Sequence, residues 1–454
     1  MLALGIALYV LATLAVGWWA SRRVHTAEDY LLAGRRLPLF LATATVFATW
    51  FGAETILGVS AEVARHGLRG AVVDPLGAAL CLVLVGWFFA RPLYRRRLLT
   101  FGDLYRDAFG PRAEALAAVL LVVSYLGWVA GQFVALGLLA QLVLGIPLAV
   151  GVVAGCVVVV VYTWLGGLWA IAWLDLAQNL ILVVGLALTL GTLAVEAVPG
   201  SQPLPAGFFN PWPRADMLDI LAWVAALATI GLGSIPQQDV FQRVMASRTE
   251  GVAVGSSWLG GGLYLTVGLL PVGLAVLLRL HQPDVVGLGT DAQQAIPRYI
   301  LGQLPPVVGV LFVGALLSAI LSTCSAALLA PAAIVAENLV APRVGGLTGR
   351  RLLAVSRGAV VAVAAVSLAL ALSRSDIHDL VCESSAFSLV CLFVPMLAAL
   401  YGWRLGERGA LVSMGLGLAV WLAASWAESA VPPLLLGLGA SALPLVGALR
   451  RRRT

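Results

Sequence analysis

The chain has 454 residues, of which 61% are apolar and only 11% charged, with a mean hydropathy of +0.98. Soluble domains run near half apolar and a quarter charged, so this surplus must face lipid, and a set of water-soluble domains is excluded. The 28 basic residues, all arginine, stand against 22 acids; the resulting +6 charge fits arginines that orient membrane helices rather than a nucleic-acid face.

Apolar runs of about the 20 residues needed to cross the hydrocarbon follow one another along the whole chain. Thirteen are expected, near 2–20, 37–64, 71–93, 113–144, 147–165, 168–197, 217–245, 252–280, 305–339, 352–373, 380–403, 410–427 and 431–449. The fold class is an all-α polytopic membrane protein, and residues 1–454 read as a single transmembrane domain. The first run is not a cleavable signal peptide: no basic residue precedes it, it is too long, and no small-residue cleavage site comes before Ser21-Arg22-Arg23. Placing the N-terminus outside puts 21 arginines in inside loops and an inside C-terminal tail, six outside, and Arg357 within a helix. That asymmetry is the one membrane insertion imposes.

The longest connectors, 198–216 and 281–304, are rich in Pro, Gly and Gln and read as outer loops, with a short helix expected at 291–302. No loop is long enough for a folded domain, and no GxxxxGK[ST] loop is present for ATP. The five cysteines (Cys81, Cys156, Cys324, Cys382, Cys391) fall in apolar runs without CxxC spacing and read as small packed residues. His25, His66, His281 and His378 read as lying between helices, which disfavours a histidine metal site or a buried proton relay. With no nucleophile–base pair or cofactor loop either, an enzyme is disfavoured and no cofactor is expected.

Two spans are interrupted alike. The second breaks at Ala48-Thr49-Trp50-Phe51-Gly52-Ala53-Glu54, and the seventh at Gly231-Leu232-Gly233-Ser234-Ile235-Pro236-Gln237-Gln238-Asp239. Lying five spans apart, an odd number, they run in opposite directions, the pattern of an inverted-repeat transporter with its site at mid-membrane. Unwound backbone is tolerable at that depth only where it lines a cavity or holds a ligand; the competing reading is a pair of Gly/Pro kinks. The ninth span carries Ala319-Ile320-Leu321-Ser322-Thr323-Cys324-Ser325. Its hydroxyls either bond back to their own helix or face the broken second span, where two hydroxyls and three carbonyls make a five-oxygen cage suited to sodium.

At these residues the chain resembles the sodium:solute symporter family over roughly residues 1–430. The resemblance rests on Gly34-Arg35-Arg36-Leu37 before the second span, on Tyr162-Thr163-Trp164-Leu165-Gly166-Gly167-Leu168-Trp169 leading into Trp173-Leu174-Asp175-Leu176-Ala177-Gln178, and on Ile235-Pro236-Gln237-Gln238-Asp239-Val240-Phe241-Gln242-Arg243 with Ala319-Ile320-Leu321-Ser322-Thr323. The first three look closest to the choline-transporter branch. The resemblance implies a leucine-transporter-type fold: inverted repeats over 37–197 and 217–403 (spans 2–6 and 7–11), with the first span and the helices of 410–449 peripheral. It also implies sodium as coupling ion, held by the carbonyls of Ala48, Phe51 and Ala319 and the hydroxyls of Ser322 and Thr323. Asp175 matches an aspartate on the inner sodium path that serves a second sodium in some members; pairing with an inside-loop arginine is its other reading.

For the solute, Trp50 and Trp128 match two walls of the choline branch's aromatic cage, while Ala78, Gln237 and the region near Val381 lack the others. Half a cage, with Gln132, Gln237, Gln238, Glu54 and the glycine break at Gly52, suits a polar or zwitterionic solute with a cationic group facing Glu54. Glu54 has a structural alternative, holding the break open, and Trp128 reads equally as helix packing. Asp239 and Arg243, one turn apart, read as a local salt bridge; Asp74, Glu62 and Glu383 read as interface residues without a role. The function expected is sodium-coupled import of a small organic solute by alternating access, needing the bilayer but no nucleic acid and no evident protein partner. Proton coupling on the same fold, and a solute sensor acting with a separate signalling protein, are the alternatives. All-arginine usage with abundant Ala, Gly, Leu and Val suggests a GC-rich bacterial source and hence the inner (plasma) membrane.

Overall fold

The computed structural model describes residues 2–195, 204–281, 284, 292–374 and 376–450. Among them the chain is helical nearly throughout, with one isolated bridge and no strand. Eight helices are long and apolar enough to cross a membrane: Glu54–Arg96, Pro111–Leu144, Leu148–Val195, Glu250–His281, Pro306–Val344, Gly349–Ser373, Ile377–Tyr401 and Gly406–Trp426. Shorter apolar helices are Leu8–Ser21, Leu39–Trp50, Met217–Gly231 and Pro433–Ala448.

Among the described residues each expected apolar run is helical for most of its length, the second and seventh being broken, and two pairs are fused. The second and third expected runs join through Glu54–Arg96, and the fifth and sixth through Leu148–Val195. The second fusion hides a sharp turn at Gly167, whose φ of 53° and ψ of −150° are not helical. A Cβ there would lie 2.4 Å from Tyr30 Cδ2 and from the Tyr30 carbonyl, so only glycine allows both the turn and the close approach. The helix expected at 291–302 is seen as Ala295–Gln303, with residue 291 outside the described set; Arg451 to Arg453 of the basic tail also lie outside it.

Both interruptions are real breaks. Leu39–Trp50 ends at Phe51 (φ −81°, ψ 72°), and helix resumes as a π-turn over Glu54–Gly58 continued by Val59–His66. Met217–Gly231 ends before a turn, and Gln238–Ala246 starts with Gln237 in extended conformation at its N-cap. Leu37, before the first broken span, donates to the Ala246 carbonyl at 3.0 Å and accepts from the Arg248 amide at 3.0 Å. The start of one broken span is thus pinned to the end of the other through a parallel bridge between Leu37 and Ser247.

Two short helices unannounced by the apolar pattern pack beside this junction. Ala27–Leu32 and Phe101–Phe109 each open with a capping box, Thr26/Asp29 and Thr100/Asp103, which satisfies the free amides of their first turns. At the centre, the ninth span (Pro306–Val344) has 78% of its apolar window buried, whereas Gly406–Trp426 has 28%. Large apolar side chains such as Trp18, Trp87, Leu180 and Leu259 point outward, as lipid contact requires.

Candidate functional site

The ninth span meets the first break side-on. Thr323 Oγ1 donates to the Ala48 carbonyl at 3.1 Å, and Ser322 Oγ lies 3.4 Å from the same oxygen. These hydroxyls reach across to the broken span, which decides against back-bonding within their own helix; Ser325, by contrast, does bond back, to the Ser322 carbonyl at 2.9 Å. Phe51 and Ala319 are buried within the same packing, at 0% and 2% exposure. Ser322 Oγ also donates to Asp175 Oδ1 at 2.5 Å. Asp175 sits against Ser322, and among the described residues it forms no ion pair with an arginine and its Oδ2 has no hydrogen-bond partner.

Just beyond, between the two breaks, lies a small cavity of about 20 Å³. It is lined by Trp50, Glu54, Asp74, Ala78, Trp128, Ile230, Ser234, Gln237, Tyr264, Val381 and Ser385. Glu54 is held at both oxygens: Trp128 Nε1 donates to Oε1 at 2.9 Å and Gln132 Nε2 to Oε2 at 2.6 Å. Gln132 in turn accepts from the Ala53 amide at 3.1 Å, so it ties the carboxylate to the unwound backbone. Gly52 is forced at this point. A Cβ on it would lie 2.6 Å from Glu54 Oε2, 2.8 Å from Thr323 Oγ1 and 2.9 Å from Gln132 Oε1.

Trp50 closes one side of the cavity, its indole Nε1 donating to Asp239 Oδ2 at 2.6 Å. Asp239 Oδ1 accepts from the Tyr125 hydroxyl, and the Asp239 amide donates back to that hydroxyl at 2.9 Å. The expected Asp239–Arg243 salt bridge is therefore absent. Both carboxylate oxygens are committed to neutral donors, and Arg243 Nη1 reaches only the Asp239 carbonyl and Gln242 Oε1, each at 3.4 Å.

Of the solute residues expected from the sequence, Trp50, Glu54, Trp128 and Gln237 line the cavity, while Gly52 and Gln132 support it from behind. Gln238 is a correction. Its Oε1 accepts from the Phe101 amide at 2.6 Å, at the start of a neighbouring helix, because the helix resumes at Gln238 and turns that side chain away from Gln237. Asp74 is corrected in the other direction: it is 2% exposed and lines the cavity, not an interface. Its Oδ2 accepts from Thr55 Oγ1 at 2.6 Å, and that hydroxyl lies 2.7 Å from the Tyr264 hydroxyl, which donates to the Trp50 carbonyl at 2.8 Å. A lone aspartate at the head of an apolar run looks like a boundary residue in sequence. Only the non-helical turn at Asp74 (φ −146°, ψ 129°) carries it inward. His378 is likewise within a helix, Ile377–Ser388, not between helices. Glu62 and Glu383 do pair near the ends of spans, with Arg65 at 3.2 Å and Arg374 at 2.7 Å.

Comparison with known proteins adds to this geometry. A model of the sodium:solute symporter family matches residues 30–417. The chain belongs to the sodium:solute symporter family. It is 26% identical to the human high affinity choline transporter 1 over 91% of this chain and 75% of that one. It is also 26% identical to the human sodium/iodide cotransporter (94% and 70% covered) and 25% identical to the high-affinity proline transporter PutP of Bacillus subtilis (93% and 91%). In fold it is similar to a Na⁺-coupled sialic acid symporter in a substrate-bound outward-open state, at a TM-score of 0.82 and 18% identity over 99% and 98% of the two chains. It is also similar to Mhp1, a nucleobase-cation-symport-1 family transporter in a closed conformation, at 0.61 and 18% over 92% and 93%. The symporter therefore has the fold of leucine-transporter-like carriers, couples movement of a small solute to sodium, and is a multi-pass membrane transporter rather than an enzyme.

Proposed function

We propose that the symporter imports a small polar or zwitterionic organic solute, with sodium held by the carbonyls of Ala48, Phe51 and Ala319 and the hydroxyls of Ser322 and Thr323. The observation that carries this reading is the pair of hydroxyls turned across to the Ala48 carbonyl at 3.4 and 3.1 Å. A hard monovalent cation suits neutral oxygens of this kind, and a broken helix supplies them where no water can. Asp175, one hydrogen bond from Ser322, lies where an ion leaving the cage toward the inside passes it, and serves that path.

The solute occupies the cavity walled by Trp50 and Trp128, with Glu54 and Gln237 as polar contacts, Gly52 and Gln132 holding the break, and Gln238 remaining outside in this conformation. Choline is disfavoured although relatives carry its name: Ala78, Gln237 and Val381 line the wall where an aromatic box would close. The matched helix breaks five spans apart, after Trp50 and after Gly231, support the repeats 37–197 and 217–403, with 410–449 peripheral. The arginine distribution supports thirteen spans, an outside N-terminus and an inside C-terminus in a bacterial inner membrane.

The test is uptake by proteoliposomes under an inward sodium gradient, across amino acids, amines, carboxylates and sugars. One class should accumulate with sodium and not with equal potassium, and Trp50→Ala should abolish it. Accumulation unaffected by Trp50→Ala would remove the solute from this cavity.

A further inference from the structure

The cavity holds a second carboxylate that neither the cage nor Glu54's hydrogen bonds explain. Asp74 is 2% exposed, lines the cavity, and has Oδ1 without any partner among the described residues. Gln237, 1% exposed on another wall, has its Nε2 unpartnered in the same way. A buried acceptor and a buried donor left open each cost about 1–3 kcal/mol, more when charged, and such orphans persist where a ligand completes them. Glu54 differs. Each of its oxygens already accepts a hydrogen bond, from Trp128 and from Gln132, so neither is left without a partner.

Taking this cavity as the solute site, as in the reading above, we propose that the solute carries a cationic nitrogen that keeps its N–H groups, a protonated amine or a guanidinium, received by Asp74 Oδ1. The same solute presents an oxygen acceptor to Gln237 Nε2. Small amino acids and their amides have this pair of groups. A quaternary nitrogen does not, because without an N–H the cationic centre itself cannot donate to Asp74 Oδ1. The aromatic faces of Trp50, Trp128 and Tyr264 attract either cation, so Asp74 is the residue that discriminates. A metal ion is poorly served here, since it needs several converging oxygens, whereas N–H groups already cover Glu54 and the Trp50 carbonyl takes the Tyr264 hydroxyl.

The experiment uses the purified symporter in sodium and measures thermal stabilisation by matched pairs: glycine and glycine betaine, γ-aminobutyrate and γ-butyrobetaine, ethanolamine and choline, with guanidinoacetate, neutral sugars and carboxylates alongside. In at least one pair the amine should stabilise and its trimethylated partner should not. Asp74→Asn should weaken that response about 10- to 100-fold, and Gln237→Ala should weaken responders that carry a carboxylate or amide more than ethanolamine. A stronger response to the trimethylated member, or no amine or guanidinium responding, overturns the proposal, and this comparison on the unaltered protein holds even if Asp74→Asn fails to fold. A quaternary or neutral responder that is lost in Trp50→Ala leaves the cavity as the solute site and refutes only the cation chemistry. A responder indifferent to Trp50→Ala refutes the site itself.

Discussion

Removing both hydroxyls of the ninth span should abolish the sodium response while leaving the protein folded. Thr323 Oγ1 and Ser322 Oγ approach the Ala48 carbonyl at 3.1 and 3.4 Å and are two of the five oxygens assigned to the ion. A hydrogen bond or ligand contact to a charged group contributes about 1.5–3 kcal/mol. At about 1.4 kcal/mol per tenfold, either Ser322→Ala or Thr323→Ala should weaken sodium binding about 10- to 100-fold. The two share one site, so the double variant is not expected to be their simple sum; with three carbonyls left it should show no titratable response. Sodium at a hundred times its Kd stabilises the native state by about 2.7 kcal/mol, which a melting curve resolves. The assay is Tm against sodium, with potassium replacing it to hold ionic strength constant. Ser318→Ala is the control, because Ser318 sits on the same helix but its hydroxyl is 2.8 Å from Tyr9. A double variant that keeps the unaltered midpoint refutes the cage. If the control loses sodium equally, the effect belongs to the helix and not to the ligands.

Further outcomes follow from single contacts. Gly52→Ala should eliminate sodium-driven uptake and lower stability by about 1–3 kcal/mol, the cost of overpacking, since its Cβ would meet Glu54, Thr323 and Gln132 below 3 Å; uptake close to the unaltered level would show that the break is not this tight. Asp239→Asn should lower solute affinity about tenfold by weakening the hold on Trp50 Nε1; an unchanged solute affinity would show that this bond does not position the Trp50 wall. Arg374→Ala, which breaks an exposed pair with Glu383, should change stability by less than about 1 kcal/mol and uptake not at all, as a thermal melt and a transport assay would check.

Periodicity and unwinding signals carried most of the architecture. The apolar runs mark the helices because lipid imposes length and composition together, and both breaks were legible because polar residues and glycine interrupt those runs, Thr49, Gly52 and Glu54 in one and Gly233, Pro236, Gln237 and Gln238 in the other. The hydroxyl pair was legible as a pair, but which way it faced was not, since Ser322 and Thr323 bonding back or across give the same sequence. What escaped depends on tertiary direction. Asp74 enters the cavity through one extended residue, a conformation that the following Pro75 favours, but the direction in which it points is not in the pattern. Gln237 and Gln238 are neighbours on paper, and the restart of the helix between them sends one to the cavity and the other to Phe101. The Asp239–Arg243 expectation failed because i,i+4 spacing permits a pair without selecting it; Trp50 and Tyr125, far away in sequence, were better placed.

The unwound segment between Trp50 and Glu54 gives the proposed coupling a physical basis. The carbonyls of Ala48 and Phe51 face the proposed ion, while the side chains of Trp50 and Glu54, on the same few residues, face the proposed solute. These groups lie at the end of Leu39–Trp50, in the break and at the start of the π-turn that follows; Tyr264 holds the Trp50 carbonyl, Asp239 the Trp50 indole and Gln132 the Ala53 amide. An ion that orders the carbonyls therefore orders both solute walls, and a solute that orders the walls returns the same free energy to the ion. Coupling of one tenfold step in each direction needs only about 1.4 kcal/mol, the scale of a single one of these hydrogen bonds. Severing the Trp50–Asp239 bond should thus reduce the factor by which sodium raises solute affinity, and solute the affinity for sodium, by equal amounts. A coupling factor that stays at the unaltered value in both equilibrium titrations would mean that the ion and the solute do not communicate through this segment.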